Sequence, residues 1–278
     1  MNLFPKSGNI LKNISKSNKM SVLSFLSSLS SQLVISQQEK TSIAISLGML
    51  HTHLQNWEHH NQIVESFYFG SYQRDTILPR RADPDSDVDF MVVFSNPNNY
   101  QPQTFLNWLN DFAESKYPRS YNRQSFPTIV LELQHIRFEL VPAIKPWGYM
   151  IPTKGLYYNR WQNTDPLTLR NRVATANSFN SCVRPLIRIM KYWNALKDKP
   201  YASYELETKI ANHMFWGCGN IEDCLYSFAE SLVVDYSLPM YKKNIINTFK
   251  QKVYTVKQQR LMGIDSIAED TIRSIFEK

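Results

Sequence analysis

Two aspartates separated by a single residue, at the mouth of an apolar run, constrain this chain more than any other feature. The run reads Asp87-Val88-Asp89-Phe90-Met91-Val92-Val93-Phe94. Valine and phenylalanine in unbroken order favour a strand, whereas aspartate disfavours one. On a strand, residues i and i+2 point to the same face, so Asp87 and Asp89 stand side by side. Carboxylates held that way repel each other unless a cation lies between them. No basic residue inside the strand supplies one. Upstream, Phe69-Gly70-Ser71-Tyr72 offers a small turn whose amide N–H groups can take a phosphate. The combination reads as a site for a nucleoside triphosphate held through Mg²⁺.

A third carboxylate is available in Arg137-Phe138-Glu139-Leu140-Val141-Pro142, another β-prone run. Three carboxylates from adjacent strands can hold two metal ions about 3.5–4 Å apart. One ion enters with the triphosphate. The other lowers the pKa of an attacking hydroxyl, which then strikes the α-phosphate in line. Glu132 competes with Glu139 for this role and ranks below it, because its strand lacks the Pro142-Ala143 break.

Local pattern supplies the rest of the organisation. Val22, Phe25, Leu26, Leu29 and Leu33 follow helical spacing. Ser36 and Glu39 form a capping box opening a long helix to about Trp57. Residues 63–69 read as β-prone, 74–86 as an exposed loop, 88–94 as a strand and 103–116 as a helix. Strands at 128–133 and 136–141 meet at Gln134-His135, after which Pro142, Pro146, Gly148 and Pro152 break regular structure. From about residue 166 the texture is helical: 183–196, 203–215, 221–233, 241–253 and 266–276. The expected class is therefore α+β. A flexible tail (1–19) precedes a sheet lobe (20–165) and a helical lobe (166–278).

Composition bounds the partners. The 278 residues are 43% apolar and 13% aromatic, enough for a substantial core, and the net charge of +7 suits polyanions. Cys182, Cys218 and Cys224 make an odd count without a C-x-x-C, which argues against a disulfide framework and fits a reducing, cytoplasmic setting. Cys218, Cys224 and His213 read as packed side chains rather than metal ligands, and His51, His53, His59 and His60 as surface or core histidines. No run approaches the roughly 20 apolar residues of a membrane span. Lys6, Lys12, Lys16 and Lys19 precede a Ser/Leu-rich helix whose serines interrupt any signal-like apolar stretch.

The ordered set Phe69-Gly70-Ser71-Tyr72-x-Arg74-x-Thr76, Asp87-x-Asp89 and Glu139-Leu-Val-Pro142-Ala143 resembles the polymerase-β-like nucleotidyltransferases. A second block, Pro185-Leu-Ile-Arg-Ile-Met-Lys191-Tyr-Trp193-Asn and Ala202-Ser203-Tyr204-Glu-Leu-Glu207, is similar to the cGAS/DncV-like (CD-NTase) enzymes. The resemblance spans residues 36–235. It implies a polymerase-β-like sheet lobe with a long N-terminal helix, packed against a C-terminal helical lobe, with the active site in the cleft between them. It implies that Asp87, Asp89 and Glu139 bind two Mg²⁺ ions (Mn²⁺ substituting), with Glu139 orienting the acceptor hydroxyl. Gly70 and Ser71 would contact donor phosphates, Lys191 and Ser203 the triphosphate tail, Tyr204 would stack on a base, and Asn177 would read a base edge. Two departures stand out. The third acid is usually aspartate, and no Cys/His cluster matches the zinc insertion of the animal cyclic GMP–AMP synthase.

The expected activity is condensation of NTPs into a cyclic di- or trinucleotide messenger of bacterial anti-phage signalling, with release of pyrophosphate. The protein would be a monomer, answering to a regulatory partner protein or nucleic-acid activator, and a downstream effector would read the product. Linear 2′-5′ oligomers, RNA 3′-end addition, and adenylylation of a small molecule or protein are the competing transfers. A non-catalytic nucleotide- or RNA-binding module is a third reading, which the complete set of acids disfavours. Taken alone, Lys191-Tyr192-Trp193 is an ordinary amphipathic helix end and Tyr204 a core residue; the joint occurrence carries the reading.

Overall fold

The computed structural model describes Ile10, residues 21–153 and residues 160–277. Apart from Ile10, the expected tail lies outside the described residues. In chain order the elements are α1 (Val22–Gln32), α2 (Gln37–Gln55), β1 (Ile63–Phe69), α3 (Gly70–Gln73), β2 (Asp87–Phe94), α4 (Pro102–Lys116), β3 (Tyr121–Ser125), β4 (Thr128–Glu132), β5 (Arg137–Ile144), β6 (Met150–Pro152) and β7 (Trp161–Asn163). Helices α5 (Thr168–Phe179), α6 (Val183–Leu196), α7 (Ser203–Asn212), α8 (Ile221–Ser231), α9 (Met240–Leu261) and α10 (Asp265–Ile275) follow. The chain divides into two compact units. One holds Ile35–Ile77 and Asp85–Arg170; the other holds α1, Leu78–Pro84 and the chain from Asn171.

The first unit is built on a sheet of order β1-β2-β5-β4-β3, with β6 added to β5 and β7 to β6. β2 and β5 run parallel; the other pairs are antiparallel. One face is apolar throughout. Val88, Phe90 and Val92 of β2, with Phe138 and Leu140 of β5, pack on Leu47, Leu50 and Leu54 of α2 and on Phe105, Leu109 and Phe112 of α4. Each of these side chains is almost wholly removed from water, a gain of about 1.5–3 kcal/mol apiece before cavity terms. The opposite face carries Asp87 and Asp89 and then turns apolar at Met91, Val93 and Ala143, which cluster with Phe67, Phe69 and Tyr149. The Ser36–Glu39 capping box that opens α2 is fully formed.

The second unit is helical. α1 buries Val22, Phe25, Leu26 and Leu29 against α6, α8 and α10. The Phe25 ring lies 6.1 Å from that of Phe276, with the Arg273 guanidinium 4.7 Å from the Phe25 centroid. Trp193 of α6 packs on Phe249 of α9 at 4.6 Å. Asn194, also buried, ties the α6–α7 connection from both sides. Its amide donates to Tyr201 O, and its oxygen accepts from Tyr201 N, each at 3.0 Å. That clasp spans two left-handed residues, Asp198 and Lys199, and fixes where α7 begins.

Several local expectations change. α1 belongs to the same unit as the C-terminal helices and packs on them, because its apolar face is completed by residues some 150–250 positions away. Residues 74–86 are not simply exposed. Ile77, Leu78 and Ala82 are buried within a polar composition, Arg81 donates to Gln32 O at 2.9 Å, and Asp83 lies 3.5 Å from Lys199. β5 does not stop at Val141 but continues through Pro142 to Ile144. β4 ceases to pair at Leu140, so the later stretch tolerates a residue without an N–H. Strands β3, β6 and β7 and helices α3 and α5 were not expected.

We expect Asn194→Ala to lower unfolding free energy by about 1–3 kcal/mol, since it strips two buried backbone groups of their partner. Urea titration would report it as a lower midpoint.

Candidate active site

β1, β2 and β5 bring the predicted acids and the predicted glycine to one end of the sheet. Asp87 pairs with Arg137 and Asp89 with Glu139 in the parallel ladder. Paired residues share a face, and so do residues two apart, so Asp87, Asp89 and Glu139 lie together. Phe69 pairs with Asp89 across β1 and β2, which sets Gly70 just past the strand end, beside the same carboxylate. Gly70 has φ +70°, and a Cβ added there would lie 1.8 Å from Asp89 Oδ2. Only glycine fits. The Ser71 carbonyl then accepts the backbone N–H groups of Thr76 and Ile77, at 3.0 and 3.1 Å, closing the turn.

Neighbouring strands complete the surroundings. Thr128 Oγ1 lies 3.4 Å from Glu139 Oε2 on the β4 side and 3.0 Å from Ser125 O, the nearer acceptor for its one proton. Arg137 donates from Nε to Glu132 Oε2 at 2.7 Å, and its Nη1 lies 3.5 Å from Asp85 Oδ1. Burial pulls the Arg137 guanidinium down, but the hydrogen bond and charge of Glu132, with Asp85 and Asp87, outweigh it and raise its pKa. β2 itself contains no cation; Arg137 stands on the adjoining strand. It was legible in retrospect, two residues before Glu139 in an alternating run.

The donors fit Mg²⁺, a hard cation that takes carboxylate oxygens. Among the described residues, no three His, Cys, Asp or Glu side chains close into a cage for an ion. A site that shares Mg²⁺ with an incoming triphosphate needs only one or two carboxylates, with phosphate oxygens and water completing the shell.

The remaining predicted residues lie on the helical unit. Lys191 of α6 is buried, with Nζ 2.9 Å from Glu207 Oε1 of α7. Ser203 and Tyr204, both exposed, open α7 without a side-chain cap. Ser203 is one turn before Glu207, so both share a helix face. Asn177 Oδ1 accepts the Arg184 N–H at 3.1 Å near the start of α6, so half of its capacity to read a base edge is engaged. Asn180 draws the cysteines together: it accepts from Cys182 N at 2.9 Å, donates to Cys218 O at 3.0 Å and lies 3.8 Å from Cys224 Sγ.

The profile of the SMODS family, the Second Messenger Oligonucleotide or Dinucleotide Synthetase domain, matches residues 20–177. The chain belongs to that family. A probable cyclic nucleotide synthase of Bacillus cereus (strain VD146) is 26% identical over 234 residues, covering 64% of this chain and 68% of its own. Among solved structures, the Bradyrhizobium diazoefficiens CD-NTase CdnG in complex with GTP is similar with a TM-score of 0.68 at 11% identity, over 91% of this chain and 98% of that one. Escherichia coli MS115-1 CdnC, in its CdnC:HORMA-deltaN complex, gives 0.67 at 12% identity, over 92% and 97%. The SMODS protein is thus a nucleotidyltransferase of the CD-NTase type, with the polymerase-β-like fold and a helical lobe. The SMODS match takes in Gly70, Asp87, Asp89 and Glu139; Lys191, Ser203 and Tyr204 lie beyond its end. No described helix is long and apolar enough to cross a membrane.

Gly70→Ala should keep its far-UV circular dichroism while losing about 100-fold in nucleotidyl transfer, the cost of misplacing a reacting group by about 1 Å. Turnover within a few-fold of wild type would contradict the close approach to Asp89.

Proposed function

We propose that this chain is a cytoplasmic, Mg²⁺-dependent synthase that condenses NTPs into a cyclic di- or trinucleotide, as the signalling arm of an anti-phage system. The observation that carries the reading is the register that sets Asp89 beside Glu139, together with the Cβ-free contact between Gly70 and Asp89. Family membership supports an oligonucleotide or dinucleotide messenger as the product class.

In this reading Asp87, Asp89 and Glu139 hold the metal. When bound, Mg²⁺ supplies charge neutralisation at the phosphates and acidifies the attacking hydroxyl. Glu139 orients that hydroxyl and accepts its proton. Gly70 and Ser71 present backbone to the donor phosphates with no side chain in the way. Lys191, carried with Glu207, and Ser203 receive the triphosphate tail. The exposed Tyr204 ring gives a base a stacking face, and Asn177 contributes its amide at a base edge. Pyrophosphate leaves at each transfer, and the last of two (dinucleotide) or three (trinucleotide) such transfers closes the ring. The protein works as a monomer, with activation through a partner protein or nucleic acid.

The test is incubation of the purified protein with labelled NTPs and Mg²⁺ or Mn²⁺. A phosphatase-resistant product is expected, absent with chelator and absent in Asp87→Asn and Asp89→Asn, both of which should fold because they relieve like-charge repulsion. Label recovered only on added RNA, a small molecule or a protein would overturn cyclic synthesis in favour of another nucleotidyl transfer. Tyr204→Ala should weaken donor binding by about 1–3 kcal/mol, read as a raised nucleotide KM. An unchanged KM would remove Tyr204 from the base site.

A further inference from the structure

Arg137 has no role in the reaction as described, yet it is held in the middle of the acidic cluster. It pairs with Asp87 on the face that carries Asp89 and Glu139. Glu132, itself only 8% exposed, holds its Nε, and Asp85 stands 3.5 Å from its Nη1. A guanidinium does not lose its proton in proteins, so this is a fixed positive charge on a clamped side chain. The same clamp engages Glu132, the competing third acid, with Arg137 rather than with the Asp89 side of the face.

We propose that Arg137 is a positioning residue that serves as a built-in counter-cation for Asp87 and makes metal entry depend on the nucleotide. The inference rests on the metal site proposed above. Without nucleotide, a divalent ion approaching Asp87 meets a positive charge already in place, and repulsion at such range weakens binding by about tenfold. With nucleotide, the negative charges of the triphosphate outweigh one guanidinium. Free Mg²⁺ therefore does not fill the site, whereas Mg²⁺ carried on a triphosphate does.

The experiment measures Mn²⁺ binding to the full chain by the electron paramagnetic resonance of free Mn²⁺, first without nucleotide and then with a non-hydrolysable ATP analogue. Arg137→Met should bind Mn²⁺ about tenfold more tightly than wild type without nucleotide, and Arg137→Lys should resemble wild type. Arg137→Met leaves Glu132 buried without its ion pair, so Glu132→Gln/Arg137→Met provides a variant free of that burden, with a tightening of the same sign but smaller expected because a nearby negative charge is lost as well. A purely structural Arg137 would give lower thermal stability and no gain in affinity. Nucleotide-free affinity no tighter than wild type in either Met variant overturns the proposal. Asp89→Asn separates the two readings. If it abolishes nucleotide-dependent Mn²⁺ binding while the Met variants show no tightening, only the role of Arg137 fails. If that binding survives Asp89→Asn, the metal site itself falls and the inference falls with it.

Discussion

The parallel register of β2 on β5 decides what the rest of this structure can do. With Asp87 opposite Arg137 and Asp89 opposite Glu139, three acids and one base share a face. A slip of one residue would turn Phe138 and Leu140 toward the acids and bury Glu139 among the helices. The slip is prevented on the other side of the sheet, where Val88, Phe90 and Val92 interdigitate with Phe138, Leu140 and the side chains of α2 and α4. The apolar core thus sets the geometry of the acidic cluster, with no need for the acids to attract one another. β1 adds the last constraint by ending at Phe69 opposite Asp89, which leaves Gly70 where a side chain would strike the carboxylate.

The helical unit meets a comparable demand by different means. A lysine as buried as Lys191 is costly unless its charge is matched, and Glu207 matches it at 2.9 Å. Because Glu207 sits one turn into α7, the pair also ties the ammonium group to the helix that begins with Ser203. The Asn194–Tyr201 clasp fixes the start of that helix. Two buried polar contacts, rather than helix propensity, therefore align Lys191 with the uncapped end of α7.

What was legible in the sequence is what depends on neighbours along the chain. Strand alternation places Asp87 with Asp89, the capping box announces α2, and a glycine before a DxD strand suggests close backbone approach. The Pro142-Ala143 break already ranks Glu139 above Glu132 in the sequence; what the sequence does not hold is the register, in which Glu132 falls opposite Arg137 and Glu139 opposite Asp89. β3 escaped notice because Tyr121-Asn122-Arg123-Gln124-Ser125 is polar on both faces and is held by backbone pairing with β4 and by the Gln103–Gln124 side-chain hydrogen bonds to α4. The home of α1 escaped for the converse reason. Its apolar stripe is plain, but the residues that cover it, Phe276 among them, lie at the far end of the chain. Ile77 and Leu78 were hidden among prolines, aspartates and arginines, whose average character says nothing of two apolar side chains turned inward.

Charge balance at the sheet end bears on the order of events. Glu132 and Asp85 pair with Arg137, and Asp87, Asp89 and Glu139 share its face of the sheet, in a chain whose overall net charge is +7. The global excess of positive charge favours approach of a triphosphate, while the local carboxylates oppose its last few ångströms. A bare polyanion is attracted from a distance and repelled on arrival; one that carries its own divalent cation is attracted throughout. Under the proposed function, such a distribution of charge would select the metal–nucleotide complex over either component, and Arg137, by offsetting part of the local negative charge, would sharpen that selection against the free ion.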